Sequence, residues 1–324
     1  MLNRILESDL KKSLFVEYYY GRKIVPSYFL TENKHTLCEE HGVMPHMDEY
    51  IDIFLDYMHG FSFSEEPQTI VLKNNIFSDI ENCFFNDILL AIELCKTEKS
   101  NVHGYMNLNH NAEIEDNKFS LVRGRFHIYC TEDRLDSSLA TMLAHELTHL
   151  YENYKRITSH TASLYDVITN SNYSNNTDRY GSTKYDRKLI SHIVYYTTKF
   201  EVNAYAASIY GTLKSHADEL IDAHDALDII KFYSPVYKNF TLFGTYIQDL
   251  NRKYIDGELD DKVIEDAWYS SMGERKKCGY IVKKLASLYN KNWRKLKKVI
   301  SKMCYDVYDK YGPLYTMDND NIID

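Results

Sequence analysis

A predicted helix near the centre of the chain carries the sequence His-Glu-x-x-His at residues 145–149. It is predicted to begin near Asp136, which is a favourable N-cap residue. Apolar side chains recur along it at helical spacing: Leu139, Met142, Leu143, Leu147, Leu150 and Tyr154. Because this stripe would bury one side of the helix, the motif is expected to lie beside the core and not in a loop.

The spacing of the two histidines predicts a metal site. Residues four apart on an α-helix share a face, so the imidazoles of His145 and His149 point towards one spot. Glu146 lies about 100° further around the helix, where it reaches a water in the open coordination position of a bound Zn²⁺. The metal would lower the pKa of this water, and Glu146 would be the catalytic base that takes its proton.

A third protein ligand is needed, and Glu201 is the leading candidate. It forms a Glu-x-x-Ala pattern with Ala204 in a strongly helical stretch, and a buried glutamate on an apolar face needs a partner such as a metal. Small residues at Ala204, Ala206 and Ala207 would let this helix pack closely on the motif helix. The alternatives that stay open are Asp166, Asp186, His160 and His192.

The two patterns together resemble the gluzincin branch of the zincin superfamily of zinc metallopeptidases. The resemblance covers about residues 69–215 and rests on residues 145–149 and 201–204. The metzincin pattern is excluded, because Glu152 stands where that class has glycine and Lys155 where it has a third histidine.

This resemblance implies a mixed sheet, the motif helix and a helical second subdomain, with the active site in the cleft between them. The zinc ligands would be His145, His149 and Glu201, and the strand ending near Cys130 would be the sheet edge that pairs with an extended substrate. Many gluzincins have aspartate four residues after the ligand glutamate, but this chain has Tyr205. For the residue that stabilises the oxyanion we choose Tyr205 from Tyr195, Tyr196, Tyr205 and His192.

The predicted fold class is α+β and mostly helical, because 12 Gly and 5 Pro in 324 residues allow few tight turns. Strands are predicted over residues 69–72, 102–108 and 119–130. Helices are predicted over residues 1–20, 47–58 and 79–96 and from residue 188 onwards. Helix breaks are predicted at Ser234-Pro235, Asp256-Gly257, Met272-Gly273 and Gly312-Pro313.

We divide the chain into four parts. Residues 1–68 are an N-terminal helical extension, and residues 69–157 are a subdomain that contains the motif helix. Residues 158–187 are a polar insertion loop, in which residues 170–180 read NSNYSNNTDRY. Residues 188–324 are a helical C-terminal subdomain.

Charge is distributed unevenly along the chain. The formal net charge is −9, which works against nucleic-acid binding as the main activity. Between Arg275 and Lys302, however, there are 11 Lys or Arg and no Asp or Glu. We interpret this segment as a solvated helix face that offsets an acidic body. The alternative is a surface for an anionic partner, such as nucleic acid or an acidic protein.

The sequence also predicts the cellular location of the protein. Residues 1–12 contain charged side chains and no apolar stretch, so no signal peptide is expected. No run approaches 18 uncharged apolar residues, so no membrane span is expected. The six cysteines form no Cys-x-x-Cys pair, and we expect reduced thiols in a cytoplasm, including that of a host, or in a virion.

These observations predict a zinc-dependent peptidase that hydrolyses peptide or protein substrates through metal-bound water. The alternative is a catalytically silent zincin fold that is a structural or binding component of a larger assembly, such as a virion. A third hypothesis is a factor associated with nucleic acid through residues 275–302.

Overall fold

The computed structural model describes residues 43–108, 113–167, 190, 193, 199–217 and 223–311. A helix and a sheet come first: α1 (Met47–His59), β1 (Gln68–Leu72), β2 (Phe85–Lys96), β3 (Asn101–Leu108), β4 (Ile114–Glu115) and β5 (Lys118–Cys130). The motif helix is α2 (Leu135–Thr158). The helices after it are α3 (Lys199–Lys214), α4 (Ala223–Tyr233), α5 (Pro235–Ile255), α6 (Asp261–Met272) and α7 (Cys278–Tyr311). The fold is therefore α+β and mostly helical with a small mixed sheet, as predicted.

The sheet has the strand order β1-β2-β5-β3, and β4 pairs with the start of β5. β2 pairs in parallel with β5, whereas β1 and β3 are antiparallel to their neighbours. One face is buried through alternate residues of the central strands, such as Ile88 and Ile92 of β2 and Phe126 and Ile128 of β5. This face packs against α1 and α2, and Phe54 of α1 meets Phe126 edge to face.

The prediction of a helix over residues 79–96 is wrong, because this segment forms a turn and then strand β2. Phe84, Ile88 and Ile92 are spaced four apart, which fits a helix. The segment also alternates, and every second residue from Ile88 to Leu94 is buried. Backbone pairing with β1 on one side and β5 on the other decides between the two periods, and this pairing is long-range.

β5 is a central strand, so the expectation that the strand ending near Cys130 forms the sheet edge is wrong. It lies between β2 and β3, and β3 is the outer strand on that side. Alternation along a strand shows which residues face the core, but it does not show which strands become neighbours. Within the described ranges, no strand pairs with the outer edge of β3.

The other predicted strands and the helix over residues 47–58 are found within a residue or two of their expected bounds. The motif helix also forms, but Asp136 does not cap it. The helix begins at Leu135, and the Asp136 carboxylate in its first turn accepts a hydrogen bond from His59 at 3.1 Å. The N-cap residue is Arg134, so the capping prediction is wrong by two residues, and the Asp136 side chain contacts α1 instead.

Three of the four predicted breaks separate helices as expected. They are Ser234-Pro235, Asp256-Gly257 and Met272-Gly273. The remaining predictions lie outside the described residues: the helix over 1–20, the polar segment 170–180 and the break at Gly312-Pro313.

Glycines let the elements around the motif approach one another closely. A Cβ added to Gly104 of β3 would lie 2.9 Å from the Sδ atom of Met142 on α2. A Cβ added to Gly211 of α3 would lie 2.7 Å from the carbonyl oxygen of Ala140 on α2. The motif helix is therefore held tightly between the outer strand and α3.

Helix α7 packs on α3, α4, α5 and α6. Its inner face is buried through Ile281, Val282, Leu285, Tyr289, Trp293, Leu296 and Ile300. The five cysteines in the described ranges are buried and free of disulfides. None of the described helices combines the length and apolar character needed to cross a membrane.

Candidate metal centre

The motif histidines lie on the side of α2 that faces α3. Their side chains are 15% and 13% exposed for His145 and His149. The two rings stand almost perpendicular, at 86°, with centroids 4.7 Å apart. This geometry brings the Nε2 atoms of the two rings within 3.1 Å of each other, so both are directed at one spot as the spacing predicted.

Glu201 completes the cluster from α3. Its side chain is 6% exposed, with Oε2 3.6 Å from Nε2 of His145 and Oε1 3.5 Å from Nε2 of His149. Among the described residues, these three form the group of His, Cys, Asp and Glu side chains whose ligand atoms converge closely enough for a metal ion. The structure therefore brings together the three residues that were selected as metal ligands, and we call them the metal cluster.

The distances within the metal cluster fit zinc. Zn–N and Zn–O bonds of about 2.0–2.1 Å at tetrahedral angles separate two ligand atoms by about 3.3 Å. The observed separations of 3.1, 3.5 and 3.6 Å are close to this value. Among the described residues, a zinc ion held by these three would keep one tetrahedral position open, which is the arrangement of catalytic rather than structural zinc sites.

Ser208 sets the tautomer of His145. Its hydroxyl donates to the carbonyl oxygen of Ala204 at 3.0 Å, so its oxygen accepts from Nδ1 of His145 at 3.1 Å. The proton of the ring is thereby held on Nδ1, and Nε2 keeps its lone pair for the metal. Ser208 was not among the site residues predicted from the sequence. Its position seven residues after Glu201, two helical turns along the same face, is the signal that points to it.

Burial and nearby charges shift the pKa values of the two histidines in opposite directions. Burial lowers the pKa of His145 to about 3, and the nearby His149 acts in the same direction. Burial also acts to lower the pKa of His149, but the hydrogen bond and negative charge of Glu201 outweigh it and the pKa is raised. His145 is therefore neutral and ready to bind a cation at physiological pH, whereas a proton competes for His149.

The predicted base, Glu146, lies between α2 and the outer strand. It is 8% exposed, and its Oε2 atom accepts a hydrogen bond from the backbone N–H of Met106 at 3.1 Å. Burial raises the pKa of the Glu146 carboxyl to about 7. This side chain does not belong to the metal cluster, and its pKa suits a group that takes up and releases protons near neutral pH.

No protein-family model, no curated protein and no solved structure matches this chain. The assignment to the zincin superfamily therefore stays a prediction from the motif and the geometry of the cluster.

Tyr205 lies against the metal cluster, with its ring centroid 5.1 Å from that of His145. It is 6% exposed and also packs on Phe240 of α5. These contacts place the ring beside His145, and the role of Tyr205 in stabilising an oxyanion stays a prediction. Tyr195, Tyr196 and His192 lie outside the described residues.

The alternative ligands are not brought to the cluster within the described ranges. Asp166 is exposed and accepts hydrogen bonds from the backbone N–H and the hydroxyl of Ser163. His160 is exposed at a position with φ 56° after the end of α2. Asp186 and His192 lie outside the described residues.

Proposed function

We propose that this protein is a zinc-dependent peptidase with a zincin-like fold of the gluzincin type. The observation that carries the proposal is the convergence of His145, His149 and Glu201, with Glu146 on the next position of the same helix. Zinc held by these three residues would supply a Lewis acid that polarises a peptide carbonyl and acidifies a water.

Glu146 has the environment of a general base. Its buried carboxyl, with a pKa raised to about 7 by burial, can accept a proton from water and release it to a leaving amine. The hydrogen bond from Met106 fixes the orientation of the carboxylate relative to α2 and β3. This chain thus provides both the ligand set and a held proton acceptor, and hydrolysis by zinc needs both.

The outer edge of strand β3 is suited to binding a polypeptide substrate. The Met106 N–H points away from β5, because it donates to Glu146. Backbone groups of alternate residues in a strand point to the same side, so those of Gly104 also face outwards. An extended peptide can pair with these groups as an added strand and pass next to Glu146. The corrected sheet order thus moves the expected substrate edge from β5 to β3.

The decisive experiment compares wild type with Glu146→Gln. Zinc is measured by metal analysis and cleavage with a mixture of quenched fluorescent peptides. We expect zinc to be retained and cleavage to fall by about 10²–10⁴-fold, the usual contribution of a general base. The matched control is Glu132→Gln, which changes an exposed glutamate outside the cluster and should leave both unchanged. Equal cleavage by wild type and Glu146→Gln would remove the mechanism.

The same measurement distinguishes the active peptidase from the catalytically silent alternative. It is motivated by Tyr205, which stands where many gluzincins have aspartate. Against it, Ser208 already binds Nδ1 of His145 in this chain. A protein that binds zinc but cleaves no peptide in the mixture would favour a structural or binding role in a larger assembly.

A further inference from the structure

Six exposed basic side chains form a stripe along the outer face of α7. We call this set the basic stripe: Lys283, Lys284, Lys291, Arg294, Lys295 and Lys298. The opposite face of the helix is buried in the core, so the rotation of α7 is fixed and the stripe faces solvent. No Asp or Glu occurs in residues 275–304, so none of these side chains has an acidic neighbour within one turn along the helix.

The stripe places like charges on adjacent turns. Lys291 lies four residues before Lys295, and Arg294 lies four residues before Lys298, so each pair shares one side of the helix. Such pairs repel and destabilise a helix. An anion bound along this face would remove the repulsion.

Basic residues on a neighbouring helix are arranged differently. On α5, Arg252 and Lys253 both form ion pairs with Asp249, at 2.9 Å in each case. In the part of the chain that the structure describes, no acidic side chain forms an ion pair with the basic stripe. The positive charge of the basic stripe is therefore not offset by ion pairs with the described acidic side chains.

Hydrogen bonds connect the basic stripe to the rim of the metal cluster. The Lys295 ammonium donates to Oδ1 of Asn203 at 3.0 Å, and Nδ2 of Asn203 donates to Oε1 of Glu152 at 2.6 Å. Asn203 follows Glu201 by two residues on α3, and Glu152 follows His149 by three on α2. One end of the stripe is thereby held next to both helices that supply the ligands.

We propose that the basic stripe binds an acidic segment of the polypeptide substrate that flanks the cleaved bond. This inference rests on the proposed peptidase function. From Lys284 to Lys298 the helix rises by about 21 Å, which equals roughly six residues of extended peptide. A long nucleic acid would run beyond the stripe onto a chain whose net charge is −9, whereas a short acidic segment meets only the basic surface.

Binding is tested with full-length Glu146→Gln protein loaded with zinc, so that no cleavage interferes. Fluorescence anisotropy at low salt compares a labelled peptide carrying a run of glutamates, the same peptide with glutamines, and a labelled oligothymidylate of similar length. The stripe variant is Lys291→Glu with Arg294→Glu and Lys298→Glu. The control variant reverses three exposed lysines elsewhere and changes the net charge equally: Lys73→Glu, Lys99→Glu and Lys262→Glu.

We expect the glutamate peptide to bind about tenfold more tightly than the glutamine peptide, and the stripe variant to lose this preference while the control keeps it. In otherwise wild-type protein, the stripe changes should raise KM for the glutamate peptide and leave kcat unchanged. Equal binding of both peptides, equal loss in the control, or stripe-dependent binding of the oligothymidylate alone would overturn the inference.

The two proposals fail in different ways. Cleavage of both peptides with no preference for glutamate overturns the substrate role of the stripe and leaves the peptidase standing. Stripe-dependent binding of the glutamate peptide with no cleavage by zinc-loaded wild type overturns the peptidase function and supports the stripe as a surface for acidic polypeptide.

Discussion

Two clusters in this protein each contain two histidines and one glutamate, and only one of them has the geometry of a metal site. The metal cluster consists of His145, His149 and Glu201. The second, which we call the outer-face cluster, consists of His103 on β3, His127 on β5 and Glu93 on β2. Composition is therefore the same in both, and the difference lies in the elements that carry the side chains.

The outer-face cluster does not converge. His103 and His127 are directly paired across two strands, and their rings stack at 25° with centroids 4.5 Å apart. Side chains on neighbouring strands stand side by side, so their nitrogens lie in nearly parallel planes. In contrast, the side chains of His145 and His149 on successive helical turns meet at 86° and aim at one spot.

The two clusters also differ in their hydrogen bonds and in their exposure to solvent. The carboxylate of Glu93 accepts a hydrogen bond from Tyr129, which holds the pKa of Glu93 below its usual value. The side chains of Glu93 and His127 are 34% and 20% exposed, against 6% for Glu201. A tyrosine and exposure to solvent thus reduce the gain that the outer-face cluster would have from a cation, whereas the buried metal cluster gains more from one.

The largest expected effect is a loss of zinc affinity when a histidine of the metal cluster is replaced, but not when one of the outer-face cluster is. Structural zinc sites in peptides bind with roughly 10–16 kcal/mol, so loss of one of three ligands should weaken binding on the order of a thousandfold. We expect this for His149→Ala and no change for His127→Ala, measured by competition with a chelating dye. Similar losses in both variants would show that the outer-face cluster also holds the metal.

A second prediction concerns the stability of metal-free protein against pH. Burial raises the pKa of Glu146 from its usual value of 4.5 to about 7, so the folded state binds the proton more tightly than the unfolded state. Wild type should therefore lose stability as the pH rises through this range. Relative to wild type, Glu146→Gln should gain about 2–3 kcal/mol in free energy of unfolding between pH 4.5 and pH 8.

Glu93 of the outer-face cluster should show the opposite dependence of stability on pH. The pKa of Glu93 is lowered by its hydrogen bond from Tyr129, so its ionised form stabilises the fold above the unfolded pKa and this is lost as the pH falls. Glu93→Gln should therefore become less stable relative to wild type as the pH rises. Urea unfolding at several pH values measures both, and slopes of the same sign would contradict the assignment.

The smallest effect concerns the orientation of His145. Ser208→Ala removes the acceptor of the Nδ1 proton, and we expect zinc affinity to fall roughly tenfold, the lower end for partners of ligand histidines. The control is Thr212→Ala, which removes a buried hydroxyl of the same helix that contacts Thr141 instead. This control should lose stability but keep its zinc affinity. Unchanged affinity in Ser208→Ala would show that the bond does not position the ring.

Parts of the site follow from sequence and others do not. The approach of His145 and His149 follows from their spacing, because four residues make about one turn of any helix. Glu201 was chosen through its pattern with Ala204, since no local spacing relates it to residue 149. Nothing in the sequence marked the backbone N–H of Met106 as the partner of Glu146, because every residue except proline carries such a group.

Local sequence alone determined several elements. Periodicity predicted the motif helix, three of the strands and the helical C-terminal part, and the positions of proline and glycine predicted the breaks between its helices. Each of these depends on residues within one or two turns of one another. The tertiary structure decided that residues 85–96 form a strand, that β5 is central and that Ser208 meets His145. Those outcomes depend on which distant segments pair and pack. Where a segment fits both a helical and a strand period, contacts with residues far along the chain decide which structure forms.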